Sequence, residues 1–166
     1  MTNFKEDLQR VKAFAFDVDG VFTNGKIYLF SKNEFVRAMN TKDGFALQYA
    51  VKKGYPIAVI SGGKSDIVKK RFEALGITDI YLNSFDKVEH FKDFYHKYNL
   101  SPENILFMGD DLPDYEVMKK CGIPTCPADA AVEIKSISNY ISNYNGGEGC
   151  VRDVIEQVLR LKDDWF

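Results

Sequence analysis

Three short apolar runs, Val11–Phe16, Pro56–Ile60 and Ile105–Met108, stop abruptly at Asp17-Val18-Asp19-Gly20, Ser61-Gly62-Gly63 and Gly109-Asp110-Asp111. Apolar runs this short, bounded by turn-forming residues, read as fully buried strands. Between them lie segments of helical periodicity, about Gly44–Lys53, Ser65–Leu75 and Lys87–Tyr98, the first two closed by Gly54 and Gly76. Shorter strands are expected at Asp79–Leu82 and Ile123–Cys126, and further helices at about Pro113–Cys121 and Val151–Leu161. Strands alternating with helices require right-handed crossovers, and hence a parallel sheet covered on both faces. The expected fold is α/β, a three-layer Rossmann-like architecture in one domain spanning residues 1–166. One segment breaks the alternation. Lys26–Phe30 and Glu34–Asn40 flank Ser31-Lys32-Asn33 and read as a protruding β-hairpin inserted at about residues 25–40.

Composition narrows the function. A formal net charge of -2 provides no basic face for nucleic acid or for a membrane surface. The three cysteines, Cys121, Cys126 and Cys150, have no paired metal spacing, and their odd number suits a reducing compartment. No signal-peptide core opens the sequence and no apolar run is long enough to span a bilayer, so a cytoplasmic protein is expected.

In a parallel sheet the strand ends share one edge, where ligand crevices form. Asp17 and Asp19 would then meet Ser61, Asp110, Asp111, Asp114 and Lys87, the residue that opens the helix after the third strand. Asp-Gly is also a common turn pair, so the first acids alone are compatible with a simple strand exit. Gathered together, the carboxylates repel one another unless a cation joins them. Hard oxygen ligands beside a phosphate site point to Mg²⁺. A carboxylate nucleophile, a neighbouring acid and donors for phosphate oxygens support phosphoryl transfer through an aspartyl-phosphate.

Asp-x-Asp-Gly, Ser-Gly, Lys and Gly-Asp-Asp-x-x-Asp, in this order from Asp17 to Asp114, resemble the motifs of the haloacid dehalogenase superfamily of phosphatases. The resemblance implies that Asp17 attacks phosphorus and that Asp19 protonates the leaving oxygen, then activates water. It also implies that Asp17, the backbone carbonyl of Asp19 and Asp110 hold Mg²⁺, and that Ser61 and Lys87 bind the phosphoryl group. Asp111 and Asp114 would orient metal waters and Lys87 from behind. A receiver-like phospho-acceptor module also combines acids, a hydroxyl and a lysine on a parallel sheet. Receivers place the phosphorylated aspartate on a middle strand; here that strand ends in Ser61, and Asp19 would have no task.

Superfamily members usually carry a cap domain, yet neither Gly20–Ile60 nor Gly62–Asp86 leaves room for one. The hairpin is the candidate to replace it. Ile27 and Leu29 face one side, Tyr28 and Phe30 the other, and Phe35, Val36 and Met39 extend both apolar surfaces. Such a hairpin either covers the domain's own core on one face or joins copies of the chain into a symmetric oligomer whose neighbours close the site. From Val11 to about Val158 the chain resembles the capless sugar-acid phosphatases, whose best-known members hydrolyse 3-deoxy-D-manno-octulosonate 8-phosphate. The residues that carry this are Asp17–Gly25, Asp43-Gly44, Gly109-Asp110-Asp111, Gly146-Gly147-x-Gly149 and Arg152. The resemblance implies a homotetramer with hairpins at its interface. It also places Asp43, Gly62 and Lys64 near the sugar acid, and Arg152 near a subunit boundary. Two departures fall where the sugar would be read: Gly63 replaces a frequent arginine, and Asn83-Ser84 a Gly-Gln pair. A nonulosonate 9-phosphate is the competing substrate.

Several features have plainer readings. His90 and His96 are six residues apart on one helix and read as boundary residues rather than ligands. Cys121 and Cys126 read as small core residues. Gly146–Gly149 is either a loop or a gate, and the terminal Trp165-Phe166 either frays or docks on a neighbouring subunit.

Overall fold

The computed structural model describes residues 3–30 and 34–166. Six parallel strands form the sheet: β1 (Ala13–Phe16), β4 (Ile57–Ile60), β5 (Asp79–Tyr81), β6 (Ile105–Met108), β7 (Ile123–Cys126) and β8 (Tyr140–Ile141). They run in the order β5-β4-β1-β6-β7-β8. The chain leaves β1 toward β4 and β5, then returns across it to β6. That reversal opens the crevice at the carboxyl ends beside β1.

Alternation along the strands builds a separate core on each face. Phe14, Phe16, Ile57, Val59, Leu106 and Met108 meet residues of α1 (Phe4–Gln9), α2 (Thr41–Lys52), α3 (Asp66–Ala74) and α7 (Cys150–Leu161). Ala13, Ala15, Ala58, Ile60, Ile105 and Phe107 face α4 (Lys87–Lys97), α5 (Tyr115–Met118) and α6 (Val132–Ile137). The small alanines admit the bulk of Phe91 and Phe94 from α4. Cys121 and Cys126 belong to this second core, as expected of small apolar residues.

The α/β fold expected from the strand pattern is the one observed, with local differences. Helix α2 begins at Thr41, ahead of Gly44, because the Asn40 side chain accepts a hydrogen bond from the Lys42 N–H and caps it there. The expected helix from Pro113 is instead a 3₁₀ turn, Leu112–Asp114, followed by the single turn of α5. Helices α1 and α6 and strand β8 were not expected.

The hairpin strands, β2 (Tyr28–Phe30) and β3 (Glu34–Val36), pair antiparallel with Leu29 opposite Phe35 and form their own sheet. The expected Ser31–Asn33 turn lies outside the described residues. Ile27, Tyr28, Leu29, Phe30, Phe35 and Val36 are all exposed, so neither face of the hairpin covers the core. Only Met39, past the hairpin, packs against it.

Within the chain, Trp165 of the C-terminal pair packs inward while Phe166 stays exposed. Trp165 is buried edge-on against Phe45 and Tyr49 of α2, at 6.2 and 5.0 Å between ring centroids. The guanidinium of Arg152 lies 5.4 Å from its ring, and Phe166 stacks on Tyr49 at 5.0 Å. Aromatic side chains on α2 offer a ready platform within the chain, which is why the tail folds back. Among the described residues no helix is long and apolar enough to cross a membrane.

Candidate active site

Each strand that feeds the site continues one hydrogen bond past its end. The Asp17 N–H donates to Met108 O (3.0 Å), Ser61 N–H to Tyr81 O (2.9 Å) and Gly109 N–H to Thr125 O (3.2 Å). The sheet ladder therefore fixes the backbone from which the reactive side chains leave. Asp17, Asp19, Ser61, Gly62, Lys87, Asp110, Asp111 and Asp114 line one cleft of about 380 Å³. Most of the residues read from the four motifs thus meet at a single point.

Lys87 is the hub. It opens α4 behind an Asp86 cap, and its ammonium is 2.9 Å from Asp17 Oδ1 and 2.6 Å from Asp114 Oδ1. The Asp114 carboxylate accepts from the Asp110 N–H through its other oxygen, at 3.0 Å. Gly109 leaves the room for that contact, since a Cβ there would press on Asp114. Asp111 caps the 3₁₀ turn, accepting from the Leu112 N–H at 2.8 Å. After Asp19 the chain turns sharply: Gly20 has φ +86°, and a Cβ on it would collide with the Asp110 carboxylate. Buried Thr23 holds this turn, its hydroxyl accepting from the N–H groups of Gly20 and Gly25, both at 3.2 Å.

Burial raises the Asp17 carboxyl from its ordinary value to about 7; Asp114 adds to the rise and Lys87 opposes it. Asp110 is pushed to about 8 by burial and by the charges of Asp17 and Asp114. Burial acts to lower the Lys87 ammonium, but Asp17 and Asp114 outweigh it and hold it above its ordinary value. Asp17, Asp110 and Asp114 each offer an oxygen within 4.8 Å of the others. Such a compressed oxygen donor set fits a hard divalent cation, whose charge would relieve the repulsion. Both Asp114 oxygens already accept hydrogen bonds, which leaves Asp17 and Asp110 as the freer donors.

The haloacid dehalogenase-like hydrolase family matches residues 64–155. The 3-deoxy-D-manno-octulosonate 8-phosphate phosphatase of Escherichia coli K12 is 34% identical over 151 residues, covering 91% of this chain and 80% of that protein. This chain belongs to the haloacid dehalogenase-like hydrolases. Two crystal structures extend the likeness. The phosphatase of that name from Yersinia pestis has a TM-score of 0.95 at 28% identity, covering 98% of this chain and 88% of its own. The one from Moraxella catarrhalis, in complex with magnesium, phosphate and a KDO molecule, has a TM-score of 0.94 at 29% identity, covering 99% and 95%.

Not every residue implied by the resemblance reaches the cleft of this hydrolase. Lys64 is exposed just beyond the cleft-lining Gly63. Asp43 is buried beneath α7, where its Oδ1 accepts from the Arg152 N–H at 2.8 Å. Helix α7 starts at Gly149 with no capping side chain of its own, so Asp43 supplies the cap from α2. Arg152 lines a separate groove of about 450 Å³ with Lys42, Glu156 and Arg160, and its Nε donates to Glu156 at 2.9 Å. The Gly146–Gly147 segment is fastened rather than free. Gly147 N–H donates to Val21 O at 2.9 Å, and Gly146 lies flat on the Gly20 carbonyl with no room for a Cβ.

Sequence reasoning missed Phe85, Thr23 and Arg37, and placed Ser84 only as a departure beside the sugar. Ser84 and Phe85 line the cleft, and the Ser84 hydroxyl is 2.6 Å from Nδ1 of the half-buried His90. Thr23 holds the turn that follows Asp19. Arg37, just after β3, grips Asp19 with two hydrogen bonds. The available signal for it was a single cation in the expected second hairpin strand, Glu34–Asn40.

Proposed function

We propose that this chain is a Mg²⁺-dependent phosphatase that hydrolyses 3-deoxy-D-manno-octulosonate 8-phosphate to the free sugar acid and phosphate. The observation that carries the reading is the convergence of Asp17, Lys87 and Asp110 in one cleft with Ser61 and Asp19. The E. coli relative of that name, at 34% identity, supports the substrate. The residues act together as one catalytic unit in a single domain. An Asp17 oxygen bonds to phosphorus while the bond to the sugar oxygen breaks, its electron pair leaving with that oxygen and a proton arriving from Asp19. Lys87 and Ser61 hold the phosphoryl oxygens, and the Lys87 charge reduces the repulsion between phosphate and Asp17. Water then bonds to phosphorus, Asp19 takes its proton, and the Asp17 carboxylate is released. Asp17, Asp110 and the Asp19 backbone carbonyl would hold Mg²⁺, with Asp111 and Asp114 steadying the set. When bound, the ion supplies the positive charge that lets a dianionic phosphate enter an acidic cleft.

A nonulosonate 9-phosphate is the second reading, favoured by Gly63 and Ser84, two small residues that line the cleft where the chain departs from the octulosonate pattern. In either case we assign Lys64, exposed next to the cleft-lining Gly63, to the sugar acid. We assign the exposed apolar hairpin to a homotetramer interface formed with other copies of this chain. Leu29 at 75% and Phe30 at 62% exposure are the strongest support for it. The three free, buried cysteines suit a cytoplasmic location.

The test is a phosphate-release comparison among octulosonate 8-phosphate, nonulosonate 9-phosphate and hexose phosphates, with and without EDTA. The octulosonate ester is expected to give the highest kcat/KM, EDTA to stop turnover and Mg²⁺ to restore it. Equal rates on all three would overturn the substrate, and turnover by Asp17→Asn would overturn the covalent route.

A further inference from the structure

The Arg37 side chain is only 5% exposed although it stands at the base of a protruding hairpin. Its Nε donates to Asp19 Oδ1 at 2.6 Å and its Nη2 to Asp19 Oδ2 at 3.1 Å. A third donor, Nη1, reaches the Phe35 carbonyl at 3.2 Å and ties the guanidinium back to its own strand. The slot it fills is walled on one side by Gly63. A Cβ at Gly63 would lie 3.3 Å from Arg37 Nη2 and 3.4 Å from Asp19 Oδ2, so the clamp packs closely against this glycine. Among the described residues, no other cation pairs with Asp19.

Both Asp19 oxygens are engaged in this geometry. A carboxylate offers about four lone-pair positions, and a bidentate guanidinium uses two of them. The remaining positions can still accept a proton from water. Delivering a proton to a leaving oxygen requires Asp19 to begin that step protonated, whereas a bidentate guanidinium favours the ionised carboxylate with which the water step begins. The clamp therefore suits one half of the proposed reaction better than the other.

We propose that Arg37 is a positioning residue that sets Asp19 as the base for hydrolysis of the aspartyl-phosphate, making the hairpin part of the reaction apparatus. In that step the water oxygen bonds to phosphorus as its proton passes to Asp19. The phosphorus–oxygen bond to Asp17 breaks, and its electron pair returns to the Asp17 carboxylate. The proposal rests on the phosphatase reading above and deepens it, assigning to the hairpin a role beyond subunit contact.

Rapid-quench kinetics on the full chain with Mg²⁺ test it, using p-nitrophenyl phosphate and an alkyl phosphate ester. For Arg37→Ala, kcat is expected to fall roughly 10- to 100-fold with KM falling in parallel, so that kcat/KM stays nearly constant. A stoichiometric burst of leaving group should appear, and both esters should reach the same kcat. Arg37→Lys, which keeps the charge but not the fork, should give an intermediate kcat, and it stands in for the alanine variant should that fail to fold. Loss of kcat/KM without a burst, or loss confined to the alkyl ester, would overturn the assignment by placing Arg37 in binding or in the acid step. Unchanged kcat would overturn it as well. A wild-type chain that released no phosphate from either ester would instead sink the phosphatase reading itself.

Discussion

Asp43→Asn should make the protein more stable at neutral pH, although it removes a charge that caps a helix. The wild-type carboxylate is 1% exposed, and its Oδ2 has no hydrogen-bond partner among the described residues. Burial is the main cause that lifts its pKa from 3.8 to about 6; the N–H groups of Arg152 and Gly149, and the Arg152 charge, offset only part of it. In the unfolded chain the group returns to its ordinary value. Between the two pKa values the native state therefore keeps a proton that the unfolded state has lost. Stability must fall as pH rises through this window and stay at the lower level above it. A gap of about two pKa units corresponds to about 3 kcal/mol at pH 7. Asparagine keeps an acceptor for the Arg152 N–H but cannot ionise. Urea unfolding of both proteins, followed by circular dichroism from about pH 4 to about pH 7, isolates the effect as their difference. The two should be nearly equal at the acid end, with the variant ahead by about 2 to 3 kcal/mol at the neutral end. A difference independent of pH, or a wild type more stable at pH 7, would refute the reasoning and show that the charged cap outweighs burial.

Gly20→Ala places a Cβ against the Asp110 carboxylate at φ +86°. Turnover should drop roughly 100-fold through displacement of the acidic cluster, and unaltered kinetics would argue against a rigid site. Trp165→Ala removes the ring seated on Phe45 and Tyr49, so unfolding free energy should decrease by about 3 kcal/mol while phosphate release at low temperature persists. Melting curves that superimpose on the wild type would mean that the tail contributes no stability. Leu29→Glu puts a charge in the middle of the exposed hairpin face opposite Phe35. Light scattering should then report a smaller assembly with unchanged secondary structure, and an unaltered mass would remove the hairpin from the interface.

What could be read from the sequence, and what could not, follows from the range of the interactions involved. The strand ends were legible because apolar runs, turn residues and the acids that follow them are adjacent in the chain. The parallel sheet then brings Asp17, Ser61, Lys87 and Asp110 together with no further information. Strand β8, two residues long, exists only through its pairing with β7, so no local pattern announces it. The cap of α7 comes from Asp43, far away in sequence, and the seat of Trp165 comes from aromatic residues on α2. By resemblance Asp43 belonged near the sugar acid and Arg152 near a subunit boundary, yet in this chain each also has a structural partner. The Arg37–Asp19 clamp is the sharpest case. Its two halves lie far apart in the chain, and both pack against a third residue, Gly63.

This division has a physical basis. Asp17, Ser61 and Gly109, which precedes Asp110, leave from backbone held by the sheet ladder, one hydrogen bond past the end of their strands, so strand pattern alone locates them. Asp19 lies beyond that ladder, in a turn held by Thr23, and its carboxylate is oriented by the hairpin rather than by the sheet. An element that exposes its apolar faces to solvent while its base grips a reactive carboxylate can transmit a change at those faces to the site. Whatever covers Leu29 and Phe30 also restricts the strand that carries Arg37. On the proposed assembly, covering the hairpin would therefore be coupled to the setting of Asp19 through Arg37.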